Sequence, residues 1–594
     1  MTITSWKQDD DILENFLIKT DSYKVTHFPQ YPKGTTEVYS YGEARGCTPL
    51  KPNGKPLYDY SLVFGLQYVL KRHLAGPQVT HEKIDEAKLF FQKHFGADLF
   101  NEAGWRYIAD HYNGYLPLII KALPEGIKVP LKTPLFTIVN TDPECFWLTN
   151  YVETIISHVW HPLTVATNSA HARDIIRAAQ DRSDDSTFVD YSLHDFGGRG
   201  GSTYETSGVG GMAHLVSFNG TDTMWAISLA NKAYNQEKTV DFNPGIHVTD
   251  IEMFGNSVVA TEHSTMTSWG REHERDCILN LLRSYPTGLL SVVGDSFNIY
   301  KFAELLYTDQ EIKEIILKRD GKFVLRPDSG DPIEIICGQA VKRKIKDLTR
   351  YFEGTTPLIS PEIFEDDLLD EVRTDTPHGV HGTTEYTSIY KVGDKYYEAT
   401  IDNISWNRYD KQYYYIDMFE KAHITVKQLD NELQMKGLMQ MLWEGFDGTT
   451  NAKGYKVLNP KVGLIQGDGI DLQMIADILT NLDGIKFAAS NIVFGSGGGL
   501  IQKFDRDTLK FAIKCTHVTV NGKPVDVQKD PITASGKKSK KGYLAVHLDE
   551  FGQYVTKQEC TVAEEKEGLL RVVFFEGDVV NTQAFNDVRK NARK

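Results

Sequence analysis

From about residue 185 the chain repeats one pattern: a short apolar, β-branched run, a cluster of Gly, Asp, His or Ser, then a segment of helical periodicity. The runs are "FVDYSLHDFGGRG" (188–200), "HLVSFNGTDT" (214–223), "SVVATEHST" (257–265), "LLSVVGDS" (289–296), "KFVLRPDSG" (322–330), "VGLIQGDG" (462–469) and "NIVFGSGGG" (491–499). Most lie about 25–45 residues apart, the length of a strand–helix unit. Apolar runs without alternation suit parallel strands covered on both faces. Seven units ending in polar groups favour an irregular α/β barrel, whose loops converge on one mouth, over a doubly wound sheet with function only near its switch point.

The rhythm breaks between Gly330 and Val462. "TSIYKVGDKYYEATIDNISWNRYDKQYYYIDMF" reads as aromatic-rich antiparallel strands and "KQLDNELQMKGLMQMLWEG" as an amphipathic helix, so residues of about 335–455 are expected to form an insertion. Both ends mix helices with short strands, and "NGK" in "KCTHVTVNGKPVDVQKDP" marks a turn. The expected organisation is a second, β-containing domain from residues 1–155 and 506–594, and a barrel over 156–505 that carries the insertion.

Composition narrows the class. The 594 residues carry a formal charge of -15, which disfavours a general nucleic-acid binder and requires any anionic ligand to be held by a local basic cluster. Six widely spaced cysteines without a CxxC pair fit a reducing, cytoplasmic location. The start, "MTITSWKQDDD", lacks the layout of a secretory signal, and no apolar run approaches the roughly 18 residues that cross a membrane.

The glycine loop at 495–499 fits neither the Walker pattern nor GxGxxG, because Leu500 stands where the last glycine would be. Gly497, Gly498 and Gly499 are expected to allow positive φ and consecutive inward-facing amides ahead of a helix, which suits a phosphate; a tight turn with close packing is the plainer reading. Arg326 and Asp328 in "LRPDSG" share a face of an extended segment, and so can aim a guanidinium and a carboxylate together; alone, they could equally be a surface ion pair. Asp468 lies between two glycines, suited to ribose hydroxyls or merely to a turn. His263 has no zinc spacing, but Asp295 and Asp328 end the next two strands, so a carboxylate could hold one ring nitrogen and activate the other. The run "KKSKK" (537–541) reads by itself as a solvated loop.

Eight motifs in order then identify a family: "TDSYKVTHFPQYPKGTTEVYSYGEARG", "LHDFGGRG", "AHLVSFNGTDT", "EHSTMTSWG", "RPDSG", "IQGDG", "FGSGGGLIQK" and "KDPITASGKKSKKG". Together they resemble the nicotinamide phosphoribosyltransferase family, over nearly everything except the central insertion. The resemblance implies a homodimer that joins nicotinamide to 5-phosphoribosyl 1-diphosphate with Mg2+ assistance, coupled to ATP hydrolysis through a phosphohistidine. It implies that Phe196 and a partner chain's Tyr23 sandwich the pyridine and that Asp222 binds the carboxamide. Arg199, His263 and Arg326 would border the diphosphate, and Asp328, Gly467, Asp468, Gly497 and Gly498 would hold the ribose and its 5′-phosphate. Arg45, Arg506, Lys514 and Lys529 would line the phosphate entrance, and His263, backed by Asp295, would accept the phosphoryl group.

Three departures from the vertebrate pattern stand out: Gly198 replaces an aromatic residue, which is expected to widen the pocket, Ala512 replaces a serine, and the insertion after "RPDSG" has no counterpart in the compact vertebrate form. The rival readings are a nicotinate phosphoribosyltransferase, a barrel phosphohydrolase with metal ligands at the strand ends, and a non-catalytic phosphosugar-binding protein.

Overall fold

A computed structural model describes residues 15–185, 187–235, 238–243, 246–339, 345–348, 360–375, 385–393, 395–402, 404–407, 411–415, 423–429, 432–530 and 538–594. The chain forms two compact units, one of Met1–Asp174, Leu193–Ser257 and Ser496–Lys594, the other of Ile175–Ser192 and Val258–Gly495. The fold is mixed α/β: parallel strands carry the polar loops, and antiparallel sheets make up the rest.

In the first unit both termini supply one antiparallel sheet. Its strand order is Lys523–Asp526, Phe511–Val520, Thr35–Ala44, Pro134–Asn140, Leu118–Ala122, Arg571–Phe575 and Asp578–Val579. Asn521 and Gly522 both take positive φ, 51° and 71°, so "NGK" closes a hairpin as the sequence predicts. Gly42 sits opposite Phe136 in the ladder, and a β-carbon there would lie 2.2 Å from that ring. The missing side chain lets the buried phenyl lie flat across the neighbouring strand. The same unit holds a short parallel pair, Leu193–Asp195 beside Gly220–Thr221.

The second unit is organised by parallel strands in the order Val259–Ala260, Thr287–Val293, Asp320–Arg326, Val462–Gln466 and Ile492–Ser496, whose last residue begins the first unit's final segment. The short edge strand Val259–Ala260 is exposed, whereas the others bury apolar interiors, as in Leu290, Val292, Phe323, Leu325, Val462 and Leu464. Several polar residues beyond the strands are spent on helix starts. Asn298 caps Ile299–Thr308, Asp331 caps Pro332–Cys337, and Asp471 caps Leu472–Gly484, each accepting from a first-turn amide. His263, Asp295, Asp328 and Asp468 remain available for other contacts.

Two expectations need correction. "HLVSF" is not a strand: it closes the helix Tyr204–Leu215, and only Gly220–Thr221 is extended before Asp222. Burial on all sides explains the continuous apolar run, which a buried helix and a buried strand share. "KQLDNELQM" starts as the end of the strand His423–Leu429, and the helical segment Glu432–Gly445 is interrupted at Gly437, with φ 70° and ψ 163°.

Within the expected insertion, Ile345–Asp347, Glu385–Val392, Lys395–Asp402 and His423–Leu429 form a four-stranded sheet. The helix Glu362–Asp375 packs Phe364, Leu368 and Val372 against Tyr390, Tyr397, Ala399 and Ile401. Parts of the aromatic-rich stretch, including residues 408–410 and 416–420, lie outside the described residues. All six cysteines are free thiols, and no helix among the described residues is long and apolar enough to cross a membrane.

Replacing Gly42 by alanine forces the Phe136 ring off its position. Chemical denaturation of Gly42→Ala should show a loss of about 1–3 kcal/mol, the usual range for overpacking. Adding Phe136→Leu should recover part of that loss.

Candidate functional site

The first cluster grows from the parallel pair in the first unit. Asp195 is wholly buried at the end of its strand and accepts from the Gly197 amide at 2.7 Å and the Thr221 hydroxyl at 3.0 Å. Burial holds its carboxyl above the ordinary range, while those hydrogen bonds pull the other way. The Asp222 amide donates to the Asp195 carbonyl at 2.9 Å, which sets Asp222 beside the neighbouring strand end. His194 Nε2 donates to Asp222 Oδ1 at 2.9 Å, and Ser257 Oγ donates to the same oxygen. The half-buried Phe196 ring stands 5.0 Å from His194, tilted by 44°. A flat face and a held carboxylate thus lie just beyond two paired parallel strands.

Gly198 does not widen this loop. A β-carbon there would come within 2.7 Å of the Trp225 indole, which donates from Nε1 to the Tyr204 carbonyl at 3.0 Å. The space left by the missing side chain is filled by another ring.

The glycine loop packs against the same segment. A β-carbon on Gly200 would sit 2.9 Å from the Gly498 α-carbon, so the two loops touch backbone to backbone. The Phe196 amide also donates to the Ser496 carbonyl at 2.9 Å. None of Gly497, Gly498 and Gly499 takes positive φ; Gly497 has φ -92° and ψ -121°, and the helix it starts is a single turn, Gly498–Ile501. The amides of these three residues donate to no acceptor among the described residues, leaving a concentrated set of N–H donors.

Four cations of the first unit form a group of their own. Lys514 is set on Phe511–Val520 opposite Tyr41, and Arg45 follows the strand Thr35–Ala44. Burial lowers the Lys514 ammonium below its ordinary value; Glu153 opposes this, and the charges of Arg45, Lys529 and Arg506 lower it further. The sequence-separated residues 45, 506, 514 and 529 therefore share one electrostatic neighbourhood. Arg45 Nε donates to the Lys510 carbonyl at 3.1 Å and Lys514 Nζ to the Ile513 carbonyl at 3.0 Å. Among the described residues no carboxylate forms an ion pair with any of the four.

The second cluster belongs to the second unit. His263 follows Val259–Ala260, Asp295 follows Thr287–Val293, and Arg326 closes Asp320–Arg326, in register with Val293. His263 Nε2 donates to Asp295 Oδ1 at 2.9 Å, while Asp295 Oδ2 accepts from Ser329 Oγ at 2.6 Å and the Asp328 amide at 3.1 Å. Burial pushes the Asp295 carboxyl upward, but the hydrogen bonds from Ser329, His263 and the Asp328 amide outweigh it and leave Asp295 below the ordinary carboxylate value. His263 Nδ1 lies 3.9 Å from Asp328 Oδ2, and that same oxygen lies 3.9 Å from Arg326 Nη2. Arg326 keeps a buried Nε without an acceptor among the described residues.

Burial raises the Asp328 carboxyl; Arg326 and His263 oppose this, and the negative charges of Asp295 and Asp468 add to it. Crowded oxygens of this kind suit a hard cation. Among the described residues no group of three or more His, Cys, Asp or Glu makes a complete cage, so a cation held by Asp328 and Asp468 would need further oxygens from a ligand. Gly467 and Asp468 lie just beyond Val462–Gln466, with Gly469 at φ 65°.

Two expected members stand apart from these contacts. Tyr23 is 57% exposed, and its only ring neighbour among the described residues is His27, at 5.1 Å. Arg199 is exposed on the Gly197–Gly200 turn and forms no ion pair among the described residues. Sequence reasoning overlooked His194, Ser257, Ser329 and Trp225. Two successive polar residues at the end of a buried strand, "HD" in "LHDFGG", were a signal for His194; Ser257 and Trp225 carried none.

Against known proteins, the model of the nicotinamide phosphoribosyltransferase N-terminal domain matches residues 15–120, and that of the nicotinate phosphoribosyltransferase family matches residues 191–364 and 425–577. The second passes over residues 365–424, inside the expected insertion. A nicotinamide phosphoribosyltransferase of Xanthomonas campestris pv. campestris is 35% identical over 588 residues, 98% of each chain. One of Acinetobacter baylyi is 31% identical, covering 97% of this chain and 96% of its own, and one of Mycoplasma pneumoniae is 27% identical over 88% and 94%. The chain is a phosphoribosyltransferase, a pentosyl-transferring enzyme, and belongs to the nicotinamide phosphoribosyltransferase family.

Proposed function

We propose that the chain makes nicotinamide mononucleotide and diphosphate from nicotinamide and 5-phosphoribosyl 1-diphosphate, in NAD salvage. The observation that carries the amide reading is Asp222: an acceptor held by His194 and Ser257, just beyond the strand that pairs with the one leading to Phe196. A carboxamide offers an N–H to such a carboxylate; a pyridine carboxylate offers only a second negative charge. Phe196 supplies one face for the ring, and Tyr23 of a second copy supplies the other, which accords with a Tyr23 ring left exposed.

Each group then has a role suited to its chemistry. The free amides of the glycine loop take the 5′-phosphate, with Arg45, Arg506, Lys514 and Lys529 as the surrounding positive field. Asp328, Gly467 and Asp468 hold the ribose, and Arg199 and Arg326 face the leaving diphosphate. Asp328 and Asp468, together with substrate oxygens, would hold a Mg2+ ion, which would supply further charge neutralisation for that leaving group. The pyridine nitrogen attacks the anomeric carbon with its own lone pair as the bond to diphosphate breaks, so positioning and leaving-group stabilisation dominate and no general base is needed.

Coupling to ATP rests on the His263–Asp295 pair. In a neutral ring whose Nε2 donates to Asp295, the lone pair is on Nδ1, and this nitrogen attacks the terminal phosphorus of ATP. A P–N bond forms, the P–O bond to ADP breaks, and Asp295 stabilises the positive charge on the ring.

His263→Ala should lose ATP hydrolysis and its stimulation of synthesis while retaining weak basal transfer. Wild-type protein given labelled ATP should carry an acid-labile phosphate that the variant lacks. Equal ATP turnover in both proteins would exclude the phosphohistidine.

Selectivity is read from kcat/KM for nicotinamide and nicotinate. Gaining a charge-assisted bond and avoiding repulsion gives the amide an expected advantage of about 100-fold or more, at 1.4 kcal/mol per tenfold. Asp222→Ser should weaken nicotinamide use and narrow that ratio. A wild type that prefers nicotinate, or an unmoved ratio, would reverse the assignment to the acid-using rival.

A further inference from the structure

A protein with a formal charge of -15 keeps four cations together with no carboxylate paired to them among the described residues. Two carboxylates are close enough to spoil this arrangement. Glu153 is near enough to Lys514 to oppose the lowering of its ammonium, and Glu43 shares with Arg45 the surroundings of the Tyr41 hydroxyl. Glu43 also sits two residues before Arg45, on the strand that pairs with the one bearing Lys514.

Each of these carboxylates is taken up by a lysine outside the cluster. Lys24 Nζ lies 2.7 Å from Glu153 Oε2, with the lysine side chain only 4% exposed. Lys540 Nζ is paired with Glu43 Oε2 and also donates to the Lys132 carbonyl at 2.6 Å. The Tyr41 hydroxyl donates to Glu43 Oε1 at 2.9 Å and accepts from the Lys540 amide at 3.2 Å. Lys540 belongs to the "KKSKK" run; its side chain is 12% exposed, so this part of the run is not a solvated loop. The neighbouring Ser539 fastens Lys529: its amide donates to the Lys529 carbonyl at 2.9 Å and its Oγ accepts from the Lys529 amide at 2.9 Å.

We infer that Lys540 and Lys24 are positioning residues for phosphate recognition: they occupy Glu43 and Glu153, and so leave Arg45, Arg506, Lys514 and Lys529 available to a bound polyanion. Each lysine would act through the glutamate it pairs with. Removing one frees a carboxylate that then competes with the ligand for the same cations. This rests on the reading of the cluster as a phosphate site.

The test uses ribose 5-phosphate as probe, by calorimetry on the full-length protein, together with KM for 5-phosphoribosyl 1-diphosphate and for nicotinamide. Lys540→Met should weaken ribose 5-phosphate binding about tenfold, as expected for a carboxylate released at short range in a partly buried site. Adding Glu43→Gln should return binding to within about twofold, because the two changes are coupled. Lys24→Met and its combination with Glu153→Gln should repeat the pattern, and decide the matter if Lys540→Met fails to fold. KM for nicotinamide should not move in the doubly substituted proteins. Unchanged ribose 5-phosphate binding in both lysine variants, or a loss that persists after the glutamate is neutralised, would overturn the inference in favour of a packing role. Lys514→Met separates the two levels: if it leaves ribose 5-phosphate binding intact, the phosphate reading itself falls; if it weakens binding while the lysine variants do not, only this inference falls.

Discussion

A carboxylate removed from water must collect donors, and the loops of this protein are tied together by that requirement. Asp195 gathers the Gly197 amide and the Thr221 hydroxyl; Asp295 gathers the Asp328 amide, the Ser329 hydroxyl and the His263 imidazole. In each case the aspartate ends or follows a parallel strand, and its donors come from loops that are distant or adjacent in sequence. Such a node fixes loop positions more sharply than apolar packing, because an unmet buried carboxylate is costly. Phe196, Asp222 and His263 inherit their places from these two residues.

The same electrostatic logic runs outward to the cations. A charge of -15 spread over the chain would blunt any anion site unless nearby acids were occupied. Glu43 and Glu153 are occupied, by lysines with little exposure. The arrangement resembles insulation: the general field stays negative while a small volume stays positive. The glycine loop complements it with amides, which bring donors without bulk, and its close contact with Gly200 needs the absence of a β-carbon.

The parallel strands and the terminal β-domain were legible in the sequence because their signals are local: apolar runs of strand length, polar residues just after them, and Asn-Gly at a hairpin. "HLVSF" misled because a wholly buried helix and a wholly buried strand both lack alternation. The glycines suggested positive φ, whereas their use is close approach and free amides, a distinction that depends on a partner loop distant in the chain. His194 could have been suspected from a polar pair in a buried strand. Ser257, Trp225 and the Glu43–Lys540 pair could not, since each matters only through a neighbour that the fold supplies.

Trp225 carries that dependence into the shape of the turn Gly197–Gly200. Its indole fills the volume that a side chain at position 198 would need, so these two positions share one steric allowance. Neither can be read alone as wide or narrow: an aromatic residue at 198 demands a smaller one at 225, and the reverse. The local shape belongs to the pair, and a homologue or a designed variant that enlarges position 198 without shrinking position 225 meets a clash.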